Sequence, residues 1–203
     1  VPGNMLAGAI STYVRRYGVA PGKKLVLSTN NDFAYRVALD WLDAGLQVVA
    51  VADARHNPRG ALVEEARAKG IRILTSSAVI ETRGSKHVTA ARVAAIDVKA
   101  HKLASPGEWL DCDLVGSSGG YSPVVHLASH LGGKPGWRED ILAFVPGEAP
   151  QKRVCVGGVN GVYALADALA DGFEGGARAA SEAGFGIVEG TLPKALNRAE
   201  EPT

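Results

Sequence analysis

The first part of the chain alternates short, fully apolar runs with stretches whose apolar residues recur every three or four positions. The apolar runs predict buried strands at residues 24–28, 46–52 and 70–74. The periodic stretches predict helices at residues 4–16, 32–44 and 60–69, the first with Asn4 as its N-cap and Gly18 at its end. Strands and helices that alternate in this way predict right-handed βαβ units and a parallel sheet.

From residue 78 the apolar period changes to two, which predicts an antiparallel β-meander beside the parallel sheet. A strand at residues 111–115 and a short helix at residues 124–131 follow, and residues 132–150, rich in glycine and proline, predict irregular structure. The last part predicts a strand at residues 154–156 and helices at residues 162–171 and 175–183. The best candidate for a domain boundary lies near Asp111.

These patterns predict an α/β protein with a Rossmann-like, three-layer nucleotide-binding domain and an antiparallel β-meander, followed by a partial segment of another domain, the first domain of the fold. We predict four divisions of the chain. Residues 1–21 form a first helix and linker, and residues 22–110 form the Rossmann-like domain. Residues 111–190 form a return segment of the dinucleotide-binding domain, and residues 191–203 form a linker or disordered tail. The start at Val1, without a methionine, suggests a segment of a longer polypeptide.

Composition narrows the classes of function without selecting one. The 203 residues are 46% hydrophobic and carry a formal net charge of +1, which favours a soluble protein without affinity for nucleic acid or membrane surfaces. Neither a signal peptide nor an apolar run of membrane-spanning length is present, so the expected location is the cytoplasm. Cys112 and Cys155 lie far apart in apolar contexts and are expected to be buried thiols.

The first predicted βαβ unit has the layout of a nucleotide site, with Asp53 at the tip of its second strand, where an acidic residue bonds a ribose hydroxyl. The turn, however, reads Ser-Thr-Asn-Asn-Asp at residues 28–32 in place of phosphate-binding glycines. We therefore expect Thr29, Asn30 or Asp32 to cap the following helix, and Asp53 could serve only as a turn former.

Two glycine turns offer a better nucleotide site. Gly119 and Gly120 follow one predicted buried strand, and Gly157 and Gly158 follow another and lead into a helix. Glycine at such a turn lets a backbone approach a phosphate or sugar, although it can also simply relieve strain in a tight loop. The pairing of the two turns favours contact with a cofactor.

No catalytic or metal-binding set emerges from the remaining residues. His126 and His130 share one helix face, but no third ligand and no metalloprotease pattern accompanies them. Ser117 and Ser118 precede their glycines and so do not form a nucleophile elbow.

Several motifs together resemble the alpha subunits of heterotetrameric sarcosine oxidases, over nearly the whole chain. They are Gly-Val-Ala-Pro-Gly-Lys at residues 18–23, Thr-Asn-Asn-Asp at residues 29–32, Ala-Tyr-Arg at residues 34–36 and Gly-Gly-Tyr-Ser-Pro at residues 119–123. Residues 48–55 and 166–172 also contribute to the resemblance. The resemblance implies a two-domain fold like that of disulfide-reductase flavoproteins, holding NAD in its first domain. It also implies that the NAD glycine fingerprint lies before Val1 and the folate-binding region after Thr203.

The resemblance implies no catalytic residue here, because amine oxidation in that family belongs to flavins held by or shared with a beta subunit. The cofactor-binding residues that it implies are Gly119, Gly120, Gly157, Gly158, Val159 and Asn160. The isolated segment is then expected to be inactive and to bind no nucleotide, although it derives from an enzyme subunit. A ligand-free structural or subunit-interaction domain, or the alpha-type subunit of another amine or opine dehydrogenase complex, remains an alternative.

Overall fold

The computed structural model describes residues 2–130, 132–186, 190–193 and 195, which form two compact units. The first unit ends at Gly120 and the second begins at Tyr121. In chain order the first unit comprises β1 (Asn4–Leu6), α1 (Ala7–Tyr17), β2 (Lys24–Thr29), α2 (Phe33–Asp43), β3 (Gln47–Asp53), α3 (Ala61–Ala68), β4 (Ile73–Thr75), β5 (Ser77–Arg83), β6 (Ala90–Asp97), β7 (Lys102–Leu103), β8 (Glu108–Asp111) and β9 (Leu114–Ser118).

A five-stranded parallel sheet in the order β1-β9-β2-β3-β4 is the centre of the first unit. Successive residues of a strand face opposite sides of a sheet. Leu25 and Leu27 of β2 accordingly pack with the helices on one side, whereas Val26 packs with the meander on the other. The predicted three layers, namely helices, parallel sheet and meander, are therefore confirmed.

The helical layer is well packed, with Tyr35 and Trp41 of α2 fully buried against the sheet. Gly116 of β9 is required there, because a Cβ at this position would lie 2.6 Å from Cδ2 of Leu27 and 2.8 Å from Cδ1 of Ile10. The meander consists of antiparallel pairs in which β6 lies between β5 and β8 and also pairs with β7. Its inner face buries Val88, Ala91 and Val93 against the sheet.

The first helix is shorter than predicted. Asn4 is not its N-cap, because residues 4–6 are extended and pair in parallel with β9. Leu6 holds the N-cap position without a side-chain hydrogen bond. Gly18 ends the helix as predicted, with a φ of 62° in the left-handed region.

The second unit comprises α4 (His126–Ser129), β10 (Gly136–Arg138), β11 (Ala143–Val145), a 3-10 turn (Gly157–Asn160) and α5 (Leu165–Glu182). β10 and β11 form an antiparallel hairpin inside the segment predicted to be irregular. No strand of this unit pairs with residues 154–156 in the described part of the chain, so the strand predicted there is wrong.

Two predicted helices near the end of the second unit are one continuous helix, α5, which runs through Gly172, Gly175 and Gly176. Glycine is a weak helix former, but tertiary packing can override its propensity. A Cβ at Gly175 would lie 2.3 Å from Cγ1 of Val156, so the absence of a side chain lets α5 approach the preceding segment closely.

The boundary between the units falls after Gly120, beyond the break expected near Asp111, because β9 pairs with β1 and β2 of the first sheet. The expected tail at residues 191–203 lies largely outside the described residues. Among the helices of the described residues, none is both long and apolar enough to span a membrane.

Candidate functional site

The turn after β2 is filled by its own side chains. Asn31 is fully buried, and its Nδ2 donates to the carbonyl of Ser118 at 3.0 Å while its Oδ1 accepts from Oγ of Ser118 at 2.9 Å. Its Oδ1 also accepts from the amide of Phe33, in the first turn of α2, at 3.2 Å. Of the expected caps Thr29, Asn30 and Asp32, Asp32 holds the N-cap position of α2 but makes no side-chain hydrogen bond there. The side-chain oxygen that bonds the first turn of α2 belongs to Asn31. Thr29 bonds the backbone of Asn31 instead.

Asp53 at the end of β3 is fully buried, and its carboxylate is already satisfied by protein groups. Its Oδ2 accepts from the hydroxyl of Tyr35 at 2.7 Å and from Nη2 of Arg55 at 2.8 Å. Its Oδ1 accepts from the backbone N–H of Arg55 at 2.9 Å and from Nε of Arg55 at 3.1 Å. These bonds leave Asp53 no accessible oxygen for a ribose.

Arg55 also forms an ion pair with Asp32, with Nη2 2.9 Å from Oδ1. Burial opposes the charge of Arg55, but its bonds to Asp53 and Asp32 outweigh burial and raise the pKa of the guanidinium. Burial and the hydrogen bond to Asp53 raise the pKa of Tyr35 well above its usual value. One guanidinium thus balances two carboxylates, one after the end of β2 and one at the end of β3.

Gly119 and Gly120 lie at the carboxyl edge of β9, beside this filled turn and within the first unit. Nδ2 of Asn30 donates to the carbonyl of Gly119 at 3.3 Å, and a Cβ at Gly119 would meet no atom within 4 Å. Gly120 has a φ of 96°, which favours glycine for conformational reasons.

The glycine turn of the second unit, Gly157–Asn160, is less covered by side chains than the turn after β2. Gly158 has a φ outside the left-handed region, and a Cβ there would meet only the ring of Tyr163, at 3.9 Å. Gly157 has a φ of 65°, and its N–H donates to Oδ2 of Asp171 on α5 at 2.7 Å. The carbonyl of Asn160 accepts from Nη1 of Arg138 at 3.0 Å. Side chains thus brace both ends of the turn and leave Gly158 uncovered.

This second turn differs locally from the predicted arrangement. Its glycines form a 3-10 turn that follows an extended, half-buried segment, and α5 begins at Leu165 rather than directly after Gly161. Val159 and Asn160 lie within the 3-10 turn, next to Gly158.

Sequence reasoning found Asp53 but missed its partners, Tyr35 and Arg55, and the cleft beyond them, which has a volume of about 770 Å³. The Asp-x-Arg spacing at residues 53–55 was the available signal, because a side chain two residues beyond a strand end can fold back onto it.

Metal and thiol chemistry find little support. The described residues contain no group of three or more His, Cys, Asp or Glu side chains placed to hold a metal ion, so His126 and His130 lack further ligands there. Cys112 is buried as expected, and burial, followed by the charges of Asp113 and Asp111, raises its pKa to about 11. Cys155 is only half-buried.

Comparison with known proteins confirms the predicted resemblance. The chain is 36% identical over 195 residues to sarcosine oxidase subunit alpha of Corynebacterium sp. (strain P-1), matching 96% of this chain and 20% of the relative. It is 38% identical to the same subunit of Corynebacterium sp. (strain U-96), with the same coverage, and 36% identical over 84% of its length to that of Rhizobium meliloti (strain 1021). The chain spans 20% of the length of the two Corynebacterium relatives and 16% of the Rhizobium meliloti one. No protein-family model matches it.

One solved structure supports the fold, and a second superposes less well. L-proline dehydrogenase from P. horikoshii superposes with a TM-score of 0.55 and 17% identity, covering 93% of this chain and 32% of that chain. Thioredoxin reductase from T. acidophilum gives a TM-score of 0.45 over 68% of this chain, with 41% of that chain covered. The superposition on L-proline dehydrogenase, together with the parallel sheet of the first unit, confirms the predicted α/β fold.

Proposed function

We propose, from its relationship to the sarcosine oxidase alpha subunits, that this chain supplies part of an NAD-binding site and a structural domain to an oxidoreductase subunit. In the intact complex the reaction is the oxidative demethylation of sarcosine. The chain itself contributes binding and architecture. Catalytic groups, flavins and folate belong to other parts of the complex, a heterotetramer in which a flavin-bearing beta subunit is the chief partner, in the cytoplasm.

The observation that carries the NAD assignment is the uncovered Gly158. Its neighbours are held in place by Asp171 and Arg138, so the turn keeps its shape while exposing backbone where a side chain would otherwise stand. Such a glycine allows a phosphate or sugar to approach the main chain closely. NAD, when bound, supplies a nicotinamide ring that can accept or donate a hydride.

Gly157, Val159 and Asn160 belong to the same proposed contact, because they share the 3-10 turn with Gly158. Gly119 and Gly120 are kept as proposed contacts on separate grounds: a side chain at Gly119 would meet open space, and the turn follows the carboxyl end of β9. Ligands of open α/β sheets bind at such carboxyl ends.

A structural role for the first unit is favoured by the bonds of Asp53. Its carboxylate is satisfied by Tyr35 and Arg55, and the turn before α2 is filled by Asn31. A Rossmann-like domain closed in this way does not hold a dinucleotide, and it would serve mainly to pack against the rest of the complex. The alpha-type subunit of another amine or opine dehydrogenase complex would have the same fold. Assays of substrate oxidation by the complex distinguish such a subunit from the alpha subunit of a sarcosine oxidase.

The test is Gly158→Val in the complete subunit, purified with its partners. We expect the variant to lose most of its bound NAD and to keep the wild-type melting temperature, because the site has space for a side chain but not for a side chain and a ligand together. Gly136→Val is the matched control, since a Cβ there also meets open space. Full NAD content in Gly158→Val would refute the assignment.

A further inference from the structure

A cleft of about 770 Å³ opens in the first unit, beyond the end of β3. Its volume lies within the range of about 300–1,000 Å³ that is usual for small-molecule sites. One wall follows β3, a second is the connection between β4 and β5 at Ser76, and a third is the end of β6 with the residues after it. The cleft lies entirely within the first unit. Its lining includes Asn30, whose Nδ2 donates to the carbonyl of Gly119, one of the proposed NAD contacts, at 3.3 Å.

The cleft is mainly apolar. Ala54, Ile96 and Val98 line it, and Val98 leaves 60% of its surface exposed at this position. An exposed valine beside a concave apolar wall is a surface that a flat ring can cover, with release of ordered water.

The charges around the cleft nearly cancel. Arg55 contributes a guanidinium that Asp32 and Asp53 already hold. Asp97 and Lys99 supply one charge of each sign, and His56 adds an imidazole. Three carboxylates thus stand against two cations, and this excess of negative charge disfavours an anionic ligand over a neutral one.

Asp97 has hydrogen-bonding capacity to spare. Its Oδ1 accepts from the backbone N–H of Ala100 at 2.9 Å, and within the described ranges Oδ2 has no donor. A carboxylate with a free oxygen suits the vicinal hydroxyls of a sugar, the task that Asp53 cannot perform.

The wall at Ser76 is held rigidly. Ser76 has a φ of 47° in the left-handed region, its N–H donates to the carbonyl of Arg55 at 2.9 Å, and its carbonyl accepts from the N–H of Ile96 at 2.7 Å. Its Oγ lies 3.2 Å from Nδ1 of His56. These contacts join the end of β3 to β6, so the cleft is formed before any ligand arrives.

We propose that this cleft binds an uncharged nucleoside, with the base against Ala54, Ile96 and Val98 and the ribose hydroxyls on Asp97. The phosphates of a dinucleotide find no place beside it, because the turn at residues 29–32 is filled by the buried amide of Asn31. The first unit thus keeps the nucleoside half of a Rossmann site after losing the phosphate half.

The test uses the whole 203-residue chain, titrated with adenosine, AMP and inorganic phosphate and followed by amide chemical shifts. We expect saturable adenosine binding in the millimolar range or tighter. Shifts should be confined to Ser76, Asp97, Val98 and their neighbours. AMP should bind no more tightly than adenosine, and phosphate alone should leave these amides unmoved.

Two variants and two controls distinguish a site from surface adsorption. Ala54→Leu, which fills the cleft, and Asp97→Asn, which removes the carboxylate, should each weaken adenosine binding about tenfold or more. Ala68→Leu and Asp111→Asn make the same changes at exposed positions outside the cleft and should bind as the wild type does. The proposal is overturned by absence of saturation, by tighter binding of AMP, or by equal affinities in the four variants.

Discussion

The turn that precedes α2 and the turn that precedes α5 differ in whether side chains fill them. In the first unit, the turn after β2 is occupied by the amide of Asn31, and the acid at the next strand end is held by Arg55 and Tyr35. In the second unit, Asp171 and Arg138 bond the turn from its ends, and Gly158 stays uncovered. The first turn makes its hydrogen bonds within its own fold, whereas the second leaves the backbone of Gly158 uncovered.

The difference shows that an α/β layout does not by itself define a nucleotide site. Both units place a turn before a helix, but binding requires that the turn lack side chains and that nearby acids remain free. In the first unit Asn31 bonds Ser118 at the end of β9, and Asp53 bonds Tyr35 and Arg55.

The largest effect should come from Arg55→Met, which removes the guanidinium shared by Asp32 and Asp53. Asp53 is fully buried, so the change leaves a buried carboxylate without its cation. We expect the free energy of unfolding to fall by about 3–5 kcal/mol in urea titrations.

Arg15→Met is the control for this change, because Arg15 pairs with Asp40 while 61% of its side chain is exposed. It should cost less than about 1 kcal/mol. Equal losses in the two variants would mean that the first unit does not depend on its internal ion pairs, and the contrast between the turns would weaken.

Tyr35→Phe should have a smaller effect, about 1.5–3 kcal/mol, because it removes one hydrogen bond to a charged group. The raised pKa of Tyr35 also predicts a pH dependence. In the unfolded chain tyrosine ionises near pH 10, while the folded protein keeps Tyr35 protonated above that pH. The stabilisation is therefore complete below about pH 10 and is lost as the pH rises, by at most about 1.4 kcal/mol per pH unit.

Urea titrations between pH 9 and 11 test this dependence. The wild-type free energy of unfolding should fall more steeply with pH than that of Tyr35→Phe. Tyr17→Phe, which removes a hydroxyl from an exposed ring, should follow the wild-type slope. Parallel slopes in all three proteins would show that Tyr35 is not tied to Asp53 in solution.

The smallest effect concerns the 203-residue chain by itself. We expect it to bind NAD weakly or not at all in calorimetric titrations, because the resemblance places the glycine fingerprint for the pyrophosphate before Val1. A dissociation constant near 1 μM, about 8 kcal/mol of binding free energy, would contradict a site divided between this segment and another.

Much of the fold of the first unit could be predicted from the spacing of apolar residues along the chain. The runs at Leu25 and Val51 predict buried strands, and the change to period two predicts the meander, because burial of alternating or continuous faces depends on local order alone. The strand at residues 4–6 was not predicted, because its extended form depends on pairing with β9, which is more than a hundred residues away in sequence.

The site was harder to predict than the fold. The Thr-Asn-Asn-Asp turn correctly suggested that side chains would fill the phosphate position, but which of them bonds α2 depends on Ser118, a residue distant in sequence. Tyr35, 18 residues from Asp53, was missed for the same reason, whereas Arg55 lies two residues from Asp53 and its spacing could have revealed it. In the second unit the sequence predicted two helices where the structure has one. Gly175 lies inside that continuous helix, where it packs against Val156.

The contrast between the two turns is tested most directly by the NAD content of two variants of the complete subunit, purified in parallel. One is Asn30→Gly combined with Asn31→Gly, which empties the first turn, and the other is Gly158→Val, which fills the second. We predict that the double variant is less stable but retains its NAD, and that Gly158→Val loses it at an unchanged melting temperature. Loss of NAD from the double variant, with full NAD in Gly158→Val, would contradict the account.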